Sequence, residues 1–383
     1  MRTGAPIARS ANGSTGGRSP ARPPVTAASP GELGYRPALD GLRALAVLVV
    51  AAYHAIIHLG SEAWARQWIP GGFLGVDVFF VLSGFLITTI LVQEHARHGA
   101  ISLRSFYARR ALRLLPAVGA LMLVHGLLAV VGGADLGLEG RTVAAVVTYT
   151  LNWVLAGGGE VAAGLGHLWS LSIEEQFYLA WPVVLLLALR RRRATGLIVA
   201  AAGIGIIWAT GVRAWLWLHD AGWGAIYVRT DARMDELLMG ALLALAFRRG
   251  WQLPRKGRYL GVAGLAVLLV CALTVPVDNG WLFVGGGFTV VGLASVLLVA
   301  SLLDHDGPLT RAFAWRGAAQ VGRASYSLYL WHVPVFVAVG DALAGRPAGQ
   351  RLAVGLVACA LATAASYCLI EVPIARFRRR RHG

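Results

Sequence analysis

Apolar runs of about 20 residues recur along this chain from Leu39 to Ile370, each long enough to cross the hydrocarbon core of a bilayer. A water-soluble core cannot take up so many uninterrupted runs. Charged residues make up only 14% of the 383, against roughly a quarter in soluble domains, so the excess apolar surface must face lipid. The runs 38–59, 71–93, 114–132, 167–189, 196–218, 232–247, 259–276, 281–303, 325–343 and 351–370 predict an all-α, polytopic transmembrane bundle of about ten spans. They form one membrane domain over 35–375, with no internal repeat.

Arginine placement orients these spans. The formal charge of +16 comes almost wholly from arginine, since Lys256 is the only lysine. Clusters such as Arg190 to Arg193, Arg248 with Arg249, and Arg378 to Arg381 stand at the ends of apolar runs, where they meet lipid headgroups and hold loops in the cytoplasm. No soluble domain carries them, so nucleic acid is not an expected partner. A further apolar piece, 143–156, would throw Arg190 to Arg193 outside if it crossed. It therefore reads as a short re-entrant or half-buried segment, leaving both termini cytoplasmic. Residues 1–34, rich in Gly, Ser, Pro and Ala, read as a disordered cytoplasmic tail, and 376–383 as a basic one. Residues 101–113, ISLRSFYARRALR, read as an amphipathic helix on the inner leaflet. Cys271, Cys359 and Cys368 lie in apolar runs without metal-ligand spacing, and no metal is expected.

Ionisable residues inside spans cost about 2.5–3.5 kcal/mol each at a helix centre, so each needs a partner or a task. Arg43 and His54 lie on the first span, Asp77 on the second, Glu174 and Glu175 on the fourth, Arg233, Asp235 and Glu236 on the sixth, and His332 on the ninth. Counting from the span ends sets His54, Asp77, Glu174, Glu175, Arg233 and Asp235 at similar depth, a polar cluster in the outer half. Arg43 precedes His54 by eleven residues, about 16 Å along the axis and only about 20° around it. One face of one helix thus joins an inner cation to an outer imidazole. Asp77 has two readings: it orients His54, or it pairs with Arg233.

At these residues the chain resembles the membrane acyltransferase-3 family, which O-acylates glycans, peptidoglycan, lipids and secreted glycosides. The matching pieces are RPALDGLRALAVLVVAAYH at 36–54, GVDVFFVLSGFLIT at 75–88, FYARRALRLLP at 106–116, HLWSLSIEEQFYLAWP at 167–182, RMDELLMGALLA at 233–244 and SYSLYLWH at 325–332. The resemblance implies that Arg43 and His54 are the family's arginine–histidine pair and that His54 is the catalytic base. Family members often carry a periplasmic hydrolase-like domain after the last span, which this sequence is expected to lack.

The expected reaction follows from that likeness. Acyl-coenzyme A, most simply acetyl-coenzyme A, is the donor substrate rather than a permanently bound cofactor. Its phosphates pair with Arg109, Arg110 and Arg113, and Arg43 stands at the inner mouth. His54 takes the proton of an acceptor hydroxyl, with Asp77 or Glu174 orienting it and Glu175 beside them. An acyl-histidine relay is a second route. Tyr178, Arg233, Asp235 and His332 are candidate substrate contacts, Tyr178 sharing a helix face with Glu174. The acceptor, a glycan, a glycolipid or a secreted glycoside, stays open, as does the choice between acetyl and a short branched acyl group. A transporter of a small anion or lipid-linked sugar is the alternative class, though paired inverted halves are not visible.

Overall fold

The computed structural model describes Met1 and residues 33–251, 253–254, 257–303 and 307–382. The expected tail over 1–34 lies almost wholly outside the described residues, as does Lys256, and so do the side chains of Arg379 to Arg381. Among the described residues the chain is helical throughout. Ten long helices succeed one another: α1 (Pro37–Ala55), α2 (Gly75–His98), α3 (Leu103–Gly132), α4 (Trp169–Leu189), α5 (Ala194–Leu218), α6 (Asp235–Arg248), α7 (Arg258–Thr274), α8 (Gly287–Leu302), α9 (Ser325–Ala342) and α10 (Ala348–Ser366). Each expected run is helical, but they differ in reach and two are broken, 232–247 at Met234 and 281–303 as described below. Six stretches are long and apolar enough to cross a membrane: Pro37–Gly60, Gly72–His98, Leu103–Gly132, Gly166–Leu189, Ala194–Leu218 and Ala348–Arg378. The helices α7 and α8 are apolar but shorter. The run expected over 281–303 is interrupted at Gly286, whose φ of +79° suits a residue without a Cβ.

One other expectation changes, and the expectation of a short non-crossing piece gains detail. Residues 101–113 are not a separate surface helix but the start of α3, which is 30 residues long and runs on through Pro116. Ser102 caps it, its Oγ accepting from the Ser105 amide at 3.3 Å, and Gly133 ends it with φ +69°. The piece 143–156 forms parts of two helices, Leu136–Val147 and Leu151–Ala156, joined by a turn in which Tyr149 has φ +56°. At 1.5 Å per residue neither is long enough to cross. Asn152 anchors the second by donating to Val228 O and Thr230 Oγ1.

Close packing explains several glycines in the quoted motifs. A Cβ on Gly84 would lie 1.8 Å from Leu237 O, and one on Gly240 would lie 2.1 Å from Val81 O. The crossing of α2 and α6 is therefore reciprocal, each backbone pressed against a glycine of the other, as small residues allow in membrane bundles. Gly322 meets Asp40 O in the same way, locking the start of α1 against the helix Arg316–Arg323. By contrast α5 exposes Ile204, Ile207 and Trp208, a surface suited to lipid.

Candidate active site

The one-face reading of α1 sets the geometry. Arg43 donates from Nε to Ser325 Oγ at 3.2 Å, and His54 reaches His332 at 3.3 Å, so both residues address α9. Arg43 lines one cavity of about 280 Å³ and His54 another of about 350 Å³. Val76 and Tyr329 line both.

The first cavity holds the guanidinium groups. Arg110 and Arg113, three residues apart on α3, share a face with Arg43 opposite. Arg110 is committed: its Nε and Nη2 donate to Glu175 Oε1 at 3.1 and 2.9 Å, and it stacks 3.4 Å over the Tyr178 ring. Tyr178 in turn donates to Glu174 Oε2 at 3.2 Å, and Ser83 to Oε1 at 3.0 Å. Arg113 makes no hydrogen bond or salt bridge among the described residues and is exposed at the cavity, leaving its fork available to an anion. Arg109 points elsewhere, to Glu94 at 3.2 Å, and does not line the cavity. The expected arginine trio is thus split, since a residue one step along a helix turns 100° away.

The second cavity is the imidazole site. His332 Nδ1 lies 2.7 Å from Tyr329 O, and a carbonyl only accepts, so Nδ1 carries the proton and Nε2 presents a lone pair. His54 Nδ1 lies 2.9 Å from Val50 O and 3.3 Å from that Nε2, so it too carries the proton. His54 Nε2 is then left unprotonated, without a partner among the described residues, on a residue that lines the cavity. His167 donates from Nε2 to the same Tyr329 carbonyl at 3.1 Å, and His58 stacks on His54 with ring centres 6.2 Å apart. Among the described residues no three His, Cys, Asp or Glu side chains are arranged to hold a metal ion. Tyr53, Phe73, Trp169, Trp223 and Tyr227 supply the apolar wall. At the edge, Arg66 pairs with Asp278 at 3.0 Å, which holds that carboxyl below the usual aspartate range.

The remaining charges form a third group that lines neither cavity. Arg233 donates to Asp77 at 2.6 Å and lies 3.6 Å from Glu236, while Arg213 grips Asp235 with bonds of 3.0 and 2.8 Å. All five residues are fully buried, and Arg233 lies 3.8 Å over the Phe288 ring. Of the two readings of Asp77, the pairing with Arg233 is the one formed. Asp235 pairs with Arg213, and neither Asp77 nor Glu174 hydrogen-bonds His54. The single cluster expected from depth alone is therefore three, because equal depth does not decide which helix faces which. Sequence reading passed over Arg213, His58, His167, Ser325 and Tyr329. The last three stand in the quoted blocks at 167–182 and 325–332 and His58 lies one turn beyond His54, whereas Arg213 carries no local signal.

The site is thus set in a multi-pass helical membrane bundle, with guanidinium groups at one interior cavity and an imidazole at a second that shares lining residues with it. The family model described as an acyltransferase domain matches residues 36–371, and the chain belongs to that family, acyltransferase-3. It is 34% identical over 318 residues to "Putative O-acetyltransferase SAS0844" of Staphylococcus aureus strain MSSA476, covering 79% of this chain and 50% of the relative. It is 32% identical over 355 residues to O-acetyltransferase OatA of strain NCTC 8325, covering 89% and 57%. The chain thus spans about half the length of the curated relatives it matches. No solved structure matches.

Proposed function

We propose that the protein is a membrane O-acyltransferase that moves an acyl group, acetyl in the simplest case, from cytoplasmic acyl-coenzyme A to a hydroxyl of a glycan, glycolipid or secreted glycoside. The observation that carries this reading is the pair of cavities meeting at Val76 and Tyr329, one with Arg43, Arg110 and Arg113, the other with His54. The names of the relatives support acetyl. The arginine cavity faces the cytoplasm, in keeping with the positive-inside rule and cytoplasmic termini.

The donor's phosphates bind Arg113 first, since Arg110 is held by Glu175 and serves as a fixed positive wall over Tyr178. Arg43 stands deeper, on Ser325. The thin pantetheine arm carries the thioester to His54. There the acceptor hydroxyl gives its proton to His54 Nε2 as its oxygen attacks the carbonyl carbon, the C–S bond breaks, and His54 returns the proton to the departing thiolate. Val50 O holds His54 in the required tautomer, and His332 adds a second acceptor at Nδ1 that steadies the charged ring, the task expected of Asp77 or Glu174. The aromatic rings of the second cavity suit the C–H faces of a sugar acceptor.

The test uses detergent-permeabilised membranes of cells expressing the chain, with acetyl-coenzyme A labelled in the acetyl group. Wild type should release thiol and incorporate label into the membrane or glycan fraction, and His54→Ala should do neither while still folding. Substantial incorporation by the His54→Ala protein would remove His54 from the chemistry. Export of a solute without thioester loss would favour the transporter reading.

A further inference from the structure

The two cavities do not merge. Arg43, Ser83, Arg110, Arg113 and Glu174 line only the first, His54, His167 and Trp169 only the second, and Val76 and Tyr329 stand where they adjoin. Val76 is buried on the first turn of α2, and its β-branched side chain has little rotameric freedom in a helix. Tyr329, on α9, is the other residue common to both linings. Its hydroxyl donates to His167 O and lies 2.8 Å from Ser170 Oγ, so the free end of the ring is tied down. The wall that the two cavities share is therefore built from stiff parts rather than from a mobile loop.

This inference rests on the donor reading above. A thioester entering from the arginine cavity must pass between Val76 and Tyr329 before its carbonyl reaches His54 Nε2. The cysteamine and β-alanine portions of the arm are unbranched and pass such a gap in single file. An unbranched acyl group does the same whatever its length, whereas a methyl branch beside the carbonyl widens the chain at the point that must enter first. We propose that Val76 and Tyr329 form an acyl filter that selects the donor by cross-section rather than by length, admitting straight-chain acyl groups and rejecting branched ones. The choice left open by the sequence, acetyl against a short branched acyl group, is thereby decided for the straight chain.

Isomeric donors separate cross-section from size and hydrophobicity. Permeabilised membranes carrying the full chain are given acetyl-, n-butyryl- or isobutyryl-coenzyme A, and thiol release is read against membranes lacking the protein. Wild type should favour n-butyryl over isobutyryl by at least about tenfold. Val76→Ala removes two methyl groups from the gap and should cut that preference at least fivefold, and Tyr329→Phe, which frees the ring, should lower it less. Val49→Ala makes a similar cut at a residue that lines neither cavity and should leave the ratio as in wild type. Equal use of the two isomers by wild type, or a Val76→Ala ratio matching wild type, would overturn the filter while leaving the donor reading intact. Absence of thiol release from all three donors with wild type would overturn the donor reading, and the filter with it.

Discussion

Replacing His332 measures what it does for His54. Its Nδ1–H is bound to Tyr329 O at 2.7 Å, so only Nε2 faces His54, as an acceptor. In His332→Ala the His54 tautomer survives, because Val50 O still accepts from Nδ1 at 2.9 Å. What is lost is one hydrogen bond to the imidazolium that forms as the acceptor is deprotonated. Hydrogen bonds to charged groups contribute about 1.5–3 kcal/mol, which corresponds to roughly a 10- to 150-fold fall in turnover. That is far smaller than the loss expected for His54→Ala. His332→Gln, which can again offer an acceptor oxygen, should recover part of the rate. The assay is initial thiol release from saturating acetyl-coenzyme A, with thermal unfolding in detergent as a check on folding. A folded His332→Ala protein as inactive as His54→Ala would make His332 a direct participant in proton transfer, and one with undiminished turnover would give it no role. Either result would refute the reading of His332 as a hydrogen-bond acceptor that steadies the charged His54.

Other expectations follow from the same geometry. Arg113→Ala should raise the donor KM several-fold with little loss of stability, whereas Arg109→Ala, outside the cavity, should leave KM near wild type; equal effects would reduce both to membrane anchors. Arg233→Met leaves Asp77 and Glu236 buried without their guanidinium and should destabilise by about 3–5 kcal/mol, read as a large fall in Tm, while an unchanged Tm would show that the group is solvated. Gly84→Ala puts a methyl 1.8 Å from Leu237 O and should separate α2 from α6 or abolish folding; a normal Tm would refute the crossing. Asp278 is held below the usual aspartate range by Arg66, so its pairing is complete above that range and is lost as pH falls through the lowered value. Hydrogen exchange over 62–68, corrected for intrinsic rates, should stay level from pH 8 to 5 and rise only in stronger acid, and a rise near neutrality would sink the assignment.

The histidines and carboxylates differ in how far they could be read in advance. Arg43 and His54 lie on one helix, whose period fixes their common face, and the structure finds them lining two adjoining cavities. Asp77 was given Arg233 as one of two readings and Glu174 a shared helix face with Tyr178, and both contacts form, whereas Asp235 was given a depth but no neighbour. Rotation and helix pairing sent each to a different partner: Arg233, Tyr178 with Ser83, and Arg213. The trio on α3 shows the same limit, since Arg109 and Arg110 are adjacent in sequence yet bind Glu94 and Glu175.

The sequence by itself determined that this chain is a helical membrane bundle and, through six ordered motifs, the family to which it belongs. Apolarity and helix period act over about 20 residues and need no distant information. Tertiary structure alone decided that His332, 278 residues from His54, is its hydrogen-bonding neighbour, that Ser325 holds Arg43 across 282 residues, and that Val76 and Tyr329 line two cavities in common. Buried polar groups must find partners, and the low dielectric makes an unpaired one costly. Which partner each finds depends on the close approaches that Gly84, Gly240 and Gly322 permit, a property of pairs of helices that no single stretch contains.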